Sequence, residues 1–256
     1  MVLDVQFGAA AVTAADVAGK VVVVIDVLRA STTMVTALAA GARGVIPCES
    51  AEDAVQRARA FERSEVRLGG ERRMQRIDGF DLGNSPSEYT AASVGGRTVM
   101  LTTTNGTQTL VACAPAEAVF VAGLVNVTAT VEALRTLRRR TEPRDVLVVA
   151  SGTERRVALE DAACAGRIIR GLARGLPSPV LGDGARLCLM LDRRYGAHPD
   201  RLAADASHAH ALREAGFADD VEDCLALDRV PVAARYHDRM VTRYTPPARG
   251  AARGAT

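Results

Sequence analysis

The stretch VVVVIDVLRASTT, residues 21–33, decides the fold. Val21–Ile25 is an unbroken β-branched run of the kind buried on both faces of a parallel sheet. Asp26 ends it, Arg29 and the hydroxyls of Ser31, Thr32 and Thr33 follow, and a helical stretch runs to Ala40 and closes at Gly41. The same strand-then-helix unit recurs downstream. Strands are predicted at residues 44–48, 98–103, 118–122 and 145–150, and helices at 50–63, 107–113, 127–140 and 159–172. This alternation implies an α/β protein, three-layer α/β/α with a mostly parallel sheet.

Two regions break the pattern. Residues 68–89 read as one long ordered loop, and such loops inside compact domains are commonly functional. From residue 182 the chain turns helical, over 183–195, 207–215 and 219–227, with a last strand near 230–235. Residues 1–244 are expected to form one α/β unit, with any division into two lobes near 140–180. Residues 245–256, with paired Pro and repeated Arg-Gly, read as a disordered tail.

The chain of 256 residues is 48% hydrophobic and 24% charged, with formal net charge +2, no Trp and 4% aromatics. That composition excludes general disorder. It also argues against nucleic-acid partners, because neither a strong positive field nor stacking platforms are present. The five cysteines form no CxxC pair, so a disulfide framework or zinc site is not expected. No signal peptide or bilayer-spanning run is legible, and the expected location is the cytoplasm, with no membrane partner. Of the 32 basic residues only Lys20 is a lysine, a skew that reads as genome composition rather than as a site.

In a parallel α/β sheet, ligands bind beyond the carboxyl ends of the strands. Asp26, Thr104–Thr107 and Ser151-Gly152-Thr153 fall at such positions, and the long loop supplies a fourth group of candidates. Asp26 can ligate a hard cation or attack phosphorus, while Arg29, Ser31 and Thr32 can meet an oxyanion at a helix entry. In the long loop, Glu71 and Asp81 can bind a metal and Asn84 or Ser85 a substrate. Turn chemistry explains that loop equally well, with Ser85 as a cap and Glu88 at the box position. Thr104, Asn105, Gly106 and Thr107 form a plausible anion cradle. Gly152 opens a loop before Glu160 and Asp161, whose adjacency also suits a helix N-terminus. His208 and His210 lie in a helical pattern, where positions two apart diverge, so they are not read as a metal pair. P-loop, Rossmann and nucleophile-elbow signatures are absent.

Together these segments resemble the 2-phosphosulfolactate phosphatase family. The resemblance rests on IDVLRASTT (25–33), Gly70-Glu71, GFDLGNSPSE (79–88), TTTNGT (102–107), and Ser151-Gly152 with EDAACAG (160–166). A weaker match covers Ser207-His208 and the later Asp220, Asp223 and Cys224. It implies a Mg²⁺-dependent phosphoric monoester hydrolase converting 2-phospho-3-sulfolactate, or a related small phosphorylated hydroxy acid, to 3-sulfolactate and phosphate, a step toward coenzyme M. The partner is then a small anionic phosphoester, and a homo-oligomer stays open. On this reading Asp26, Glu71, Asp81, Glu160 and Asp161 share the Mg²⁺ role. Arg29 meets the phosphoryl or sulfonate group and is expected to depress the Asp26 pKa. The rival reading is a non-catalytic binder of anionic metabolites. A phosphotransferase with an alcohol acceptor is the third.

Overall fold

The computed structural model describes residues 1–8, 12–154 and 156–246. In chain order the first half comprises β1 (Val2–Phe7), α1 (Ala14–Val17), β2 (Val21–Ile25), α2 (Ala30–Ala39), β3 (Gly44–Pro47), α3 (Ala51–Ala58), β4 (Val66–Arg72), β5 (Gln75–Arg76), α4 (Ala91–Val94), β6 (Thr98–Thr102), α5 (Gly106–Ala112) and β7 (Ala118–Ala122). The second half comprises α6 (Val127–Arg140), β8 (Val146–Ala150), α7 (Leu159–Ala173), β9 (Val180–Leu181), α8 (Asp183–Tyr195), α9 (Pro199–Asp205), α10 (Ser207–Glu214), α11 (Ala218–Leu225), β10 (Ala234–His237) and β11 (Met240–Arg243).

Among the described residues all eleven strands join one sheet, in the order β5-β4-β6-β3-β11-β10-β7-β2-β8-β1-β9. β2 is central, with parallel partners β7 and β8 on its two sides. All five of its side chains are buried, because helices cover both faces. Val23 and Ile25 pack with Phe120, Val148, Leu134 and Ile168 on one face. Val22 and Val24 pack with Val35, Leu38, Leu110 and Val149 on the other. This is the expected three-layer α/β/α arrangement with a mostly parallel sheet. β8 lies between β1 and β2, so residues 146–150 sit inside the shared sheet.

The structure departs from expectation in the last strand. In place of one strand near 230–235 there is a hairpin, β10–β11, inserted between β7 and β3. It runs antiparallel to both neighbours and joins two parallel blocks that would otherwise be separate. Residues 68–89 are likewise not all loop: β4 pairs in parallel with β6 and turns back through β5. β1, β9 and α9 were not predicted. Residues 247–256 of the predicted tail lie outside the described residues. Among the described residues, no helix is long and apolar enough to cross a membrane.

Candidate active site

The β2–α2 turn is built around Asp26, which is buried. Its Oδ1 accepts the Ala30 amide at 3.0 Å, and its own amide donates to Ser31 Oγ at 3.0 Å. Its Oδ2 faces α5: a Cβ on Gly106 would come within 2.7 Å of it, and within 2.6 Å of Ala30 Cβ. Glycine at position 106 therefore lets α5 begin directly against the carboxylate.

Asp26 opens onto a cavity of about 410 Å³. Its wall carries Asp26, Glu71, Asn84, Thr104, Asn105 and Glu160 from the sequence candidates, together with Thr153 and His208. Glu71 is held on the β4 exit, with Oε1 accepting from the Thr104 amide at 2.8 Å and hydroxyl at 2.9 Å, and Oε2 from the Met74 amide at 2.9 Å. Glu160 is 1% exposed, and its Oε2 has no hydrogen-bond partner among the described residues. Asn84 Oδ1 is orphaned in the same way. Buried polar atoms without partners are rare and point to a missing ligand or ion. His208 Nδ1 lies 2.8 Å from Thr153 Oγ1 and 3.6 Å from Glu160 Oε1.

Burial pushes the Asp26 carboxyl up to about 6, and the charges of Glu71 and Glu160 add to that, while the Ala30 amide and His208 oppose it. The depression expected from Arg29 is not found. Arg29 lines the cavity, but its guanidinium is turned aside. It pairs with Asp220 at 2.6 Å, donates to the Met74 carbonyl at 2.8 Å, and lies 4.3 Å over the Phe217 ring. Those partners use two of its five N–H donors and hold the guanidinium against α11 and the β4–β5 tip.

Other candidates serve the scaffold. Ser31 caps the Asp26 amide, Thr32 Oγ donates to the Val27 carbonyl at 2.9 Å, and Thr33 Oγ to the Asn84 carbonyl at 2.8 Å. Ser85 donates to Asp220 instead of capping a helix, and Glu88 accepts the Gly83 amide at 2.9 Å. Thr107 exchanges hydrogen bonds with Thr103. Asp161 accepts the amides of Val27 at 2.8 Å and Gly152 at 3.0 Å, tying two strand exits together. Burial and the charges of Glu160 and Asp26 hold its pKa well above the usual carboxylate range. Gly152 takes a left-handed φ of +72°, and a Cβ there would meet the Arg156 carbonyl at 2.2 Å. Asp81 stands apart from the cavity, paired with Arg63 and accepting the Leu68 amide at 2.8 Å. The two histidines diverge as helical spacing requires, with His210 bonded to the Ala204 carbonyl. His208, Thr153 and Asp220 were missed as site residues. Ser207-His208, the Asp220-x-x-Asp223-Cys224 pattern and the Ser151-Gly152-Thr153 loop were the available signals for them.

Among the described residues no three Asp, Glu, His or Cys side chains already converge as a metal cluster. The donor chemistry still fits Mg²⁺, which is commonly held by one or two carboxylates together with substrate phosphate oxygens and water. Asp26 and the orphaned Glu160 oxygen supply hard oxygens of that type.

A family model described as 2-phosphosulpholactate phosphatase matches residues 9–239. A Symbiobacterium thermophilum protein described as a probable 2-phosphosulfolactate phosphatase is 41% identical over 220 residues, covering 86% of this chain and 92% of its own length. A Thermotoga petrophila protein of the same description is 40% identical over 209 residues, covering 82% and 86%. A third, from Clostridium botulinum, is 34% identical over 238 residues, covering 92% and 97%. The motifs that build the cavity wall all lie inside the matched span, and the chain belongs to the 2-phosphosulpholactate phosphatase family.

Proposed function

We propose that this chain hydrolyses 2-phosphosulfolactate, or a closely related small phosphorylated hydroxy acid, to the free hydroxy acid and phosphate, with Mg²⁺ as cofactor. Family membership makes it a phosphoric monoester hydrolase. The observation that carries the finer reading is the cavity in which Asp26, Glu71 and Glu160 stand beside the Thr104-Asn105 turn, with Glu160 Oε2 unpartnered. A phosphoester dianion entering an acidic floor is repelled unless a cation lies between them. Asp26 and Glu160 would hold that cation. When bound, it neutralises phosphoryl oxygens and lowers the pKa of a bound water.

The chain's own groups then position the ester. Glu71 is committed to Thr104 and Met74, so it fixes the turn more than it touches substrate. The turn presents Thr104 and Asn105 to the cavity, and Asn84 Oδ1 offers a fixed acceptor. Preorganised polar groups of this kind are the main resource for phosphoryl transfer, which needs charge neutralisation and in-line placement.

The test is a phosphate-release screen over phosphorylated hydroxy acids, including 2-phosphosulfolactate, with Mg²⁺ or with EDTA. Release that EDTA abolishes and Mg²⁺ restores supports the reading. Release insensitive to EDTA removes the metal from it. Thermal stabilisation by these acids without any phosphate release favours a binding protein over an enzyme.

A further inference from the structure

Arg29 shares its charge with Asp220, so a second anionic group on a substrate calls for further positive charge at the cavity. Among the described residues two other guanidiniums, Arg73 and Arg156, line the same cavity. Both are exposed at its rim, and neither forms an ion pair or a side-chain hydrogen bond among the described residues. Their placement is fixed by the backbone. Arg73 sits at the tip of the β4–β5 hairpin with φ +50°, beside Met74 at φ +69°. That tip is clamped by the Glu71 carboxylate on the Met74 amide and by Arg29 on the Met74 carbonyl. Arg156 closes a tight turn with Thr153, each amide donating to the other's carbonyl at 2.9–3.1 Å. The rim also carries two carboxylates: Asp205, which accepts the Tyr195 hydroxyl at 2.9 Å, and Glu154, which forms no ion pair with either arginine and leaves both guanidinium forks open.

The cavity therefore has buried carboxylates on its floor and, at its mouth, two unpaired guanidiniums beside Glu154 and Asp205. We infer that Arg73 and Arg156 form the receptor for a second anionic group, a carboxylate or sulfonate, on the carbon skeleton of the phosphoester. This rests on the phosphatase reading above and adds the residues that set its specificity. The phosphoryl group lies at the floor, where Asp26 and Glu160 hold the cation. The far end of a three-carbon acid then reaches the mouth. A planar guanidinium fork matches the paired oxygens of carboxylate or sulfonate. A phosphoester with a neutral tail leaves both arginines without a partner and is discriminated against.

The experiment compares 2-phosphosulfolactate and 2-phospholactate with glycerol 2-phosphate, which has no second anion, on the wild type, R73A, R156A and the double variant. Because both side chains are exposed, the variants are expected to fold, and matching circular dichroism and Tm check this. The ratio of kcat/KM for the acids over glycerol 2-phosphate falls about 10- to 100-fold in each single variant, mostly through KM, as expected for loss of a charge-assisted contact. An unchanged ratio in the double variant overturns the inference. Calorimetric titration with 3-sulfolactate in Mg²⁺ separates the two readings if no ester is hydrolysed. Binding by the wild type that weakens at least about tenfold in the double variant sustains the anion receptor without the phosphatase reading. No binding to the wild type, or equal binding to both, overturns the receptor.

Discussion

Replacing Asp220 by Ala tests whether the Arg29 ion pair holds the site together. The Arg29 and Asp220 side chains are 2% and 5% exposed and meet at 2.6 Å. Deleting one partner of a buried pair strands the other charge, at a cost of about 3–5 kcal/mol. The Phe217 ring and the Met74 carbonyl stay with Arg29, but a cation–π contact worth at most about 2 kcal/mol does not replace a carboxylate. Ser85 also loses its acceptor. At roughly 2–4 °C per kcal/mol for a domain of this size, Tm falls by roughly 6–20 °C. Urea unfolding in EDTA, with the slope checked for constancy, measures the loss directly. The paired variant R29M/D220L is expected to be more stable than D220A, because no lone charge remains. A loss below about 1 kcal/mol in D220A, the range of an exposed pair, would refute the argument that this pair is buried and integral.

Three further outcomes follow from the same geometry. The Asp26 carboxyl, raised to about 6 in the fold against an ordinary 3.8, favours its protonated form; its contribution to stability is full below pH 3.8 and lost as pH rises through about 6. Metal-free protein therefore gains stability on acidification from pH 7 to 5. D26N at pH 7.5 raises Tm in EDTA and flattens that dependence, while phosphate release falls by orders of magnitude. G106A, whose Cβ would press on Asp26 Oδ2 at 2.7 Å and Ala30 Cβ at 2.6 Å, displaces the carboxylate and lowers activity more than stability, read from kcat beside Tm. The five cysteines are free and buried, and burial pushes the Cys48, Cys113 and Cys188 thiols up to about 12 and raises those of Cys164 and Cys224 as well. A thiol reagent therefore reacts slowly with the native protein and titrates five groups only after denaturation.

Much of this was legible because local rules and the tertiary fold agree. An apolar β-branched run such as Val21–Ile25 has few stable places other than a covered sheet, so β2, and the strand-end position of Asp26, could be read directly. Ser50 caps α3 as expected, with its Oγ accepting the Asp53 amide at 3.1 Å. β1 also carried a signal, since Leu3 and Val5 are buried while Val2, Asp4 and Gln6 are not. This alternation is more polar than the unbroken apolar runs of β2 and β8.

The layers, the central strand and the three strand exits that meet at the cavity are written in short stretches of sequence, because strand period and helix entry are properties of neighbouring residues. What each polar group at those exits bonds to depends on long-range packing. Arg29 has its partner 191 residues away on α11, and Asp161 bonds an amide 134 residues away in the β2–α2 turn. No local rule links such pairs. The two hairpins were hidden for a different reason. Arg73-Met74 and Asp238-Arg239 turn through positive φ without a glycine or asparagine, so the usual two-residue turn signature is missing. Their conformations are held by the sheet around them, and that sheet exists only once residues from both ends of the chain have paired.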